Sequence, residues 1–203
     1  MIWPFGDLQP GAYNMIVADP PWRFLLRSAK GGKKSPQAHY VCRDLDWVKA
    51  LPVARLAQEH AFLFLWTTSP MLPQAVAVLD AWGFRYVTQG QWIKQTRHGR
   101  VAFGTGFRVR SSSEPWLLAT VGKPRLADHS RSHRNVIFGL RREHSRKPEE
   151  SYHWCETYLP GARRCELFAT AYRQGWDVWG DQLGKHEAGE GCSRPRRSQR
   201  YPL

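Results

Sequence analysis

Apolar residues fall along this chain in short blocks, and the spacing inside each block says what it builds. Tyr13 to Ala18 is an apolar run broken only by Asn14, which predicts a buried strand. Ala61 to Trp66 is apolar throughout and too short for a helix, so it predicts a strand buried on both faces. Phe84 to Lys94, Glu114 to Val121, Asn135 to Phe138, Cys165 to Ala169 and Trp176 to Trp179 predict further strands. Helical spacing lies between them. Asp44 to Gln58 carries it with a break at Leu51-Pro52, which predicts two short helices. Ser69-Pro70 supplies an N-cap with proline at the first helical position, and Gly83 a stop after Trp82. Pro148-Glu149-Glu150 opens another helix, with acids beside its N-terminal dipole, that runs to about Leu159. Strands alternating with helices predict an α/β layer sandwich, and the crossover from Ala61 to Lys94 makes its sheet at least partly parallel.

Two long polar stretches interrupt the pattern. Arg23 to His39 holds Arg23, Arg27, Lys30, Lys33 and Lys34, and Gln95 to Arg110 holds Arg97, Arg100, Arg108 and Arg110, with no acid in either. Loops this long are commonly functional or mobile; these read either as solvated segments or as flaps that close on a phosphate backbone. Lys123 to Arg134 is a third basic segment. The whole chain of 203 residues carries 30 basic against 17 acidic side chains, a net charge of +13. Such a surplus points to a polyanionic partner, most simply nucleic acid, with a solvated face or an anionic membrane surface as the other readings. From Gly184 onward the apolar pattern is gone, so a single domain over 1–183 followed by a disordered basic tail over 184–203 is expected.

Composition removes other classes. Cys42, Cys155, Cys165 and Cys192 show no C-x-x-C spacing and no paired histidines, so no metal site and no disulfide frame is expected. No apolar run approaches the ~20 residues of a membrane span. Met1 to Phe5 lacks the basic and long apolar regions of a signal peptide, and the expected location is the cytoplasm.

One junction stands out chemically. The strand from Tyr13 ends in Asp19-Pro20-Pro21-Trp22. Pro20 cannot donate to a sheet ladder, so the strand stops there. The two rings fix a stiff turn whose carbonyls have no nearby amide competitor. An acid, rigid carbonyls and a flat indole suit a planar base bearing an amino group; a purely structural turn with a packed Trp fits these four residues equally well. In α/β sandwiches ligands sit at the carboxyl ends of strands, where both this turn and Ala169-Thr170 lie.

The order of motifs then narrows the choice. Ala18-Asp19-Pro20-Pro21-Trp22, Phe64-Leu65-Trp66, Trp82-Gly83-Phe84 and Trp92-Ile93-Lys94 are followed by His144-Ser145-Arg146-Lys147-Pro148-Glu149-Glu150. Leu159-Pro160-Gly161-Ala162-Arg163, Cys165-Glu166-Leu167-Phe168-Ala169 and Gly175-Trp176-Asp177-Val178-Trp179-Gly180-Asp181-Gln182 complete the series. From Tyr13 to Gln182 this resembles the MT-A-seventy family of S-adenosylmethionine-dependent adenine N6-methyltransferases, in its bacterial or phage DNA-type form. The resemblance implies a Rossmann-like methyltransferase fold, a three-layer sandwich with a mostly parallel central sheet. It implies a catalytic motif of Asp19, Pro20, Pro21 and Trp22, in which Asp19 and the Pro20 carbonyl accept from the adenine amine and Trp22 stacks on the base. It places Tyr40 and Lys94 at the substrate. Asp19, Lys147, Glu166, Phe168, Thr170, Arg173, Asp181 and Gln182 would line the cofactor, with Lys147 near its methionine carboxylate and Asp181 and Gln182 near its ribose. Thr170 departs from the usual arginine and Asp181 from the usual asparagine.

The function this implies is methyl transfer from S-adenosyl-L-methionine to the exocyclic amine of adenine in DNA, without a metal. RNA as substrate, a non-catalytic nucleic-acid-binding partner subunit, and methylation of cytosine N4 or a protein amide are the alternatives.

Overall fold

The computed structural model describes residues 3–22, 44–104, 106, 108–126, 132–143 and 146–184. Seven strands form one sheet: β1 (Tyr13–Ala18), β2 (Ala57–Trp66), β3 (Arg85–Gln95), β4 (Ser113–Val121), β5 (Val136–Leu140), β6 (Arg164–Leu167) and β7 (Trp176–Trp179). Their order is β5-β3-β4-β2-β1-β6-β7. β1 pairs in parallel with β2 and β6, β6 with β7 and β3 with β5; β4 alone is reversed, antiparallel to β2 and β3. The sheet is thus mostly parallel, as expected.

Side chains alternate between faces along each strand, and a helical layer covers each face. Ile16, Leu63, Leu65 and Leu117 point to one side and meet Val48 of α1 (Leu45–Ala50) and Val78 and Leu79 of α2 (Leu72–Ala81). Met15, Val17, Phe62, Phe64 and Leu118 point to the other and meet Cys155 and Tyr158 of α3 (Glu149–Tyr158). These two cores make the three-layer sandwich.

Five features differ from the sequence expectation. The second helix expected before Gln58 is a single 3-10 turn, Val53–Arg55. The Leu56 carbonyl accepts from Tyr13 N–H at 3.0 Å, so the backbone has already turned to join β1 and β2 starts at Ala57, not Ala61. Ser69 does not cap α2: Ser69–Met71 is a 3-10 turn and the helix begins at Leu72. Pro148 is the N-cap of α3, one place earlier than expected. β6 ends at Leu167 because Phe168 has φ 66, outside strand geometry. Gly83, at φ +75, follows the C-cap Trp82 of α2 as predicted. The Arg23 to His39 segment, Tyr40 and the 185–203 stretch of the tail lie outside the described residues.

The register places the strand ends together. Ala18 is level with Leu65 and Leu167, and Leu167 with Trp179. Asp19, Phe168 and Gly180 therefore leave three adjacent parallel strands at one edge of the sheet. The start of β4 and the ends of β3 and β5 lie at the same edge, since Ile93 pairs with Ser113 and Phe138.

Candidate active site

Asp19 is anchored one residue past β1, its N–H donating to the Leu167 carbonyl at 3.3 Å. Lys147, next to the N-cap of α3, places Nζ 3.0 Å from Asp19 Oδ2 and 2.5 Å from Glu114 Oε1. Glu114 Oε2 in turn lies 2.8 Å from Lys94 Nζ. Four charges thus alternate in a line: Asp19, Lys147, Glu114, Lys94. Trp66 and Trp92 wall the line, with the Lys147 ammonium 5.2 Å from one ring centre and that of Lys94 4.7 Å from the other.

Charge balance sets the protonation. Burial works against ionisation of Glu114, but Lys147 and Lys94 overcome it and hold its carboxyl at about 2. Burial also opposes charge on Lys147; the Asp19 and Glu114 carboxylates outweigh it and keep the ammonium protonated. Asp19 fares differently. Burial pushes its carboxyl up, Lys147 pulls it down, Glu114 adds to the rise, and the net direction is upward. The shared lysine serves Glu114 better, leaving Asp19 the more basic of the two. Asp19 also keeps about a fifth of its side chain open, at 21% exposure.

Glu114 was not singled out from the sequence, although a signal was present: it is the only acid between Asp80 and Asp128. It is the second residue of β4, is followed by six buried residues, 115–120, and sits opposite Trp92.

The Pro-Pro turn corrects one expectation. Trp22 N–H donates to the Pro20 carbonyl at 2.7 Å, closing a three-residue turn about Pro21. That carbonyl does have an amide partner; one of its two lone pairs remains. Trp22 is 5% exposed, and its Nε1–H donates to the Trp66 carbonyl at 3.0 Å. The indole belongs to the first core and ties the turn to the end of β2.

A second group stands behind the first. Glu166 on β6 is buried and accepts from the Tyr152 hydroxyl of α3 at 2.8 Å. Burial raises its carboxyl to about 7, against the Tyr152 hydrogen bond and the Arg173 charge, with Asp19 adding to the rise. Arg173 lies 3.6 Å over the Tyr152 ring and pairs with Glu149, which also takes Arg142 at 2.7 Å. Phe168 contacts the Trp47 and Trp179 rings edge-on, with centroids 6.4 and 5.3 Å away. Thr170 is half-buried beyond it, and Asp181 and Gln182 occupy the turn after β7. The structure therefore gathers Asp19, Lys147 and Lys94 in one network and sets Glu166 and Arg173 in a neighbouring one. It puts Phe168, Asp181 and Gln182 at the ends of the next two strands. Among the described residues no group of three or more His, Cys, Asp or Glu is placed to hold a metal ion.

A sheet of this order, with an acid-Pro-Pro-aromatic turn closing its β1 and charged groups collected at the carboxyl edge, has the Rossmann-like methyltransferase fold. The MT-A70 family model matches residues 13–182, and the chain belongs to that family. It is 32% identical over 197 residues to the "Putative N(6)-adenosine-methyltransferase MT-A70-like" of Medicago truncatula, covering 95% of this chain and 30% of the relative. To the human catalytic subunit METTL3 it is 28% identical, covering 95% of this chain and 32% of METTL3. To the "Type II methyltransferase M.MunI" of Mycoplasma sp it is 28% identical, covering 88% of this chain and 81% of M.MunI. The chain thus spans less than a third of the plant and human relatives and most of the mycoplasmal one.

Proposed function

We propose that this protein transfers a methyl group from S-adenosyl-L-methionine to the exocyclic N6 amine of adenine in DNA. The observation that carries the reading is the Asp19 carboxylate, held by Lys147 beside a Pro20 carbonyl with one free lone pair. The donor set fits the cofactor. The Lys147 ammonium uses two of its three N–H groups on Asp19 and Glu114 and has one left for a carboxylate. Asp181, exposed at the end of β7, suits ribose hydroxyls as an acceptor. S-adenosylmethionine, when bound, supplies an electrophilic methyl on a positively charged sulfur. The residues of the chain do the rest. Asp19 and the Pro20 carbonyl accept the two N–H groups of the adenine amine, whose lone pair is otherwise delocalised into the ring. They turn that lone pair out of the ring plane and aim it, so orientation and electrostatics supply the rate. Asp19, pushed up by burial, takes the proton the nitrogen loses. Trp22 locks the turn.

Coverage favours DNA: the chain spans 81% of the Type II methyltransferase but 30% and 32% of two adenosine methyltransferases. RNA is the second reading, favoured by the ribonucleoside in the names of those relatives. Labelled cofactor, matched DNA and RNA, and digestion to nucleosides test both: label in N6-methyldeoxyadenosine is expected. Asp19→Ala should abolish transfer while cofactor binding changes much less; undiminished transfer by that variant would refute the mechanism.

A further inference from the structure

The segment between Lys94 and Glu114 is built as a pin. Ala102 N–H donates to the Lys94 carbonyl at 2.7 Å, Lys94 N–H to the Ser112 carbonyl at 3.0 Å, and Thr96 N–H to the Arg100 carbonyl at 2.8 Å. Beyond Ala102, Gly104 and Gly106 meet backbone too closely to carry a side chain: a Cβ on Gly104 would stand 1.6 Å from the Ser111 carbonyl oxygen, and one on Gly106 2.0 Å from that of Val109. What the pin turns outward is unusual for a surface. Phe103 is 73% exposed, with Val101 and Val109 exposed as well. Arg97, Arg100, Arg108 and Arg110 are also exposed on the same segment, which has no acid. The Arg110 guanidinium lies 5.3 Å over the Phe103 ring.

From this we infer that Phe103 is a wedge that enters the base stack of duplex DNA and fills the gap left when the target adenine leaves it. The inference rests on the proposed reaction, since a base methylated on its amine inside a duplex must first be extruded. Charge complementarity selects the occupant. An exposed ring with Arg110 over it, on a segment with three further exposed arginines, meets stacked bases and the phosphates beside them, the composition by which wedge-inserting proteins unstack a step. A second copy of this +13 chain would bring cation against cation. The pin also starts and ends at site residues: Lys94 precedes it and Glu114 follows it on paired strands. A wedge held there has a fixed relation to Asp19 through the line of charges. The Arg110 cation over the ring keeps Phe103 turned outward before DNA arrives.

The test compares methyl transfer to native duplex genomic DNA with transfer to the same DNA heat-denatured, using the full chain. Single strands need no extrusion, so the ratio isolates the wedge. Phe103→Ala is expected to lower the duplex-to-single-strand ratio about tenfold, the scale of one lost base–aromatic stack, and Phe103→Trp to restore it. An unchanged ratio overturns the wedge while leaving the proposed reaction standing. No transfer by the wild type to either DNA form overturns both. An unchanged ratio with an altered sedimentation mass in the absence of DNA assigns Phe103 to a protein contact instead.

Discussion

Glu114 is a largely buried acid between two ammonium groups, and removing its charge leaves Lys94 without that carboxylate and Lys147 with Asp19 alone. Breaking such a pair from one side is strongly destabilising, so Glu114→Gln should cost about 3 kcal/mol in urea unfolding at pH 7. The same variant changes the acid limb. With its carboxyl lowered from 4.5 to about 2, Glu114 gives stability that is full above pH 4.5 and is lost as pH falls toward 2. The stability of Glu114→Gln should fall less over that window. Glu166 runs the other way. Raised from 4.5 to about 7, it favours the folded state below pH 4.5 and loses that contribution as pH rises through 7. Glu166→Gln should therefore be flatter than the wild type between pH 4.5 and 7 and the more stable of the two at pH 8, relative to their difference at pH 4. Denaturant midpoints from pH 2 to 4.5 check the first, and from pH 4 to 8 the second.

At the scale of elements, the approach of α3 to β5 sets where Lys147 stands. A Cβ on Gly139 would lie 2.8 Å from Pro148 Cβ, 2.8 Å from Glu150 Oε2 and 3.1 Å from Trp92 Nε1. Gly139→Ala must push the start of α3 away, and Lys147 travels with it. Overpacking of this kind costs about 1–3 kcal/mol; the melting temperature should fall, and cofactor titration should show weaker binding by the variant. Strands such as β1 and the second half of β2 were readable because each is a short apolar run whose length forbids a helix. The stretch before Gln58 was not, because the pull that straightens it comes from Tyr13, a partner distant in sequence. The Asp-Pro-Pro-Trp turn was legible as the end of the first strand, but the place of its Trp was not: whether an indole stacks or packs depends on Trp66, whose carbonyl takes its N–H. Glu114 escaped for the same reason, since its meaning comes from Lys147 arriving over the far side of the sheet.

The molecule as a whole carries a charge of +13, and no described helix is long and apolar enough to cross a membrane. Binding to duplex DNA should weaken roughly a thousandfold between 50 and 200 mM salt, the response of about six phosphate contacts. Fluorescence anisotropy of a labelled duplex measures the slope, and a flat response would remove nucleic acid as the partner.

The place of β1 in the sheet has a further consequence, in time. It bonds to β2 on one side and to β6 on the other, with Met15 level with both Phe62 and Arg164. During synthesis the first strand therefore waits, one side open, until nearly all the described chain has emerged. Pairings so distant in sequence close late and slow folding, and an open apolar edge in the interval invites misassembly. Asp19 emerges early, but the Leu167 carbonyl that holds its backbone and the Lys147 that holds its carboxylate come last. The arrangement thus comes into being as the fold completes, so a partly folded chain has no assembled Asp19-Lys147-Glu114 line.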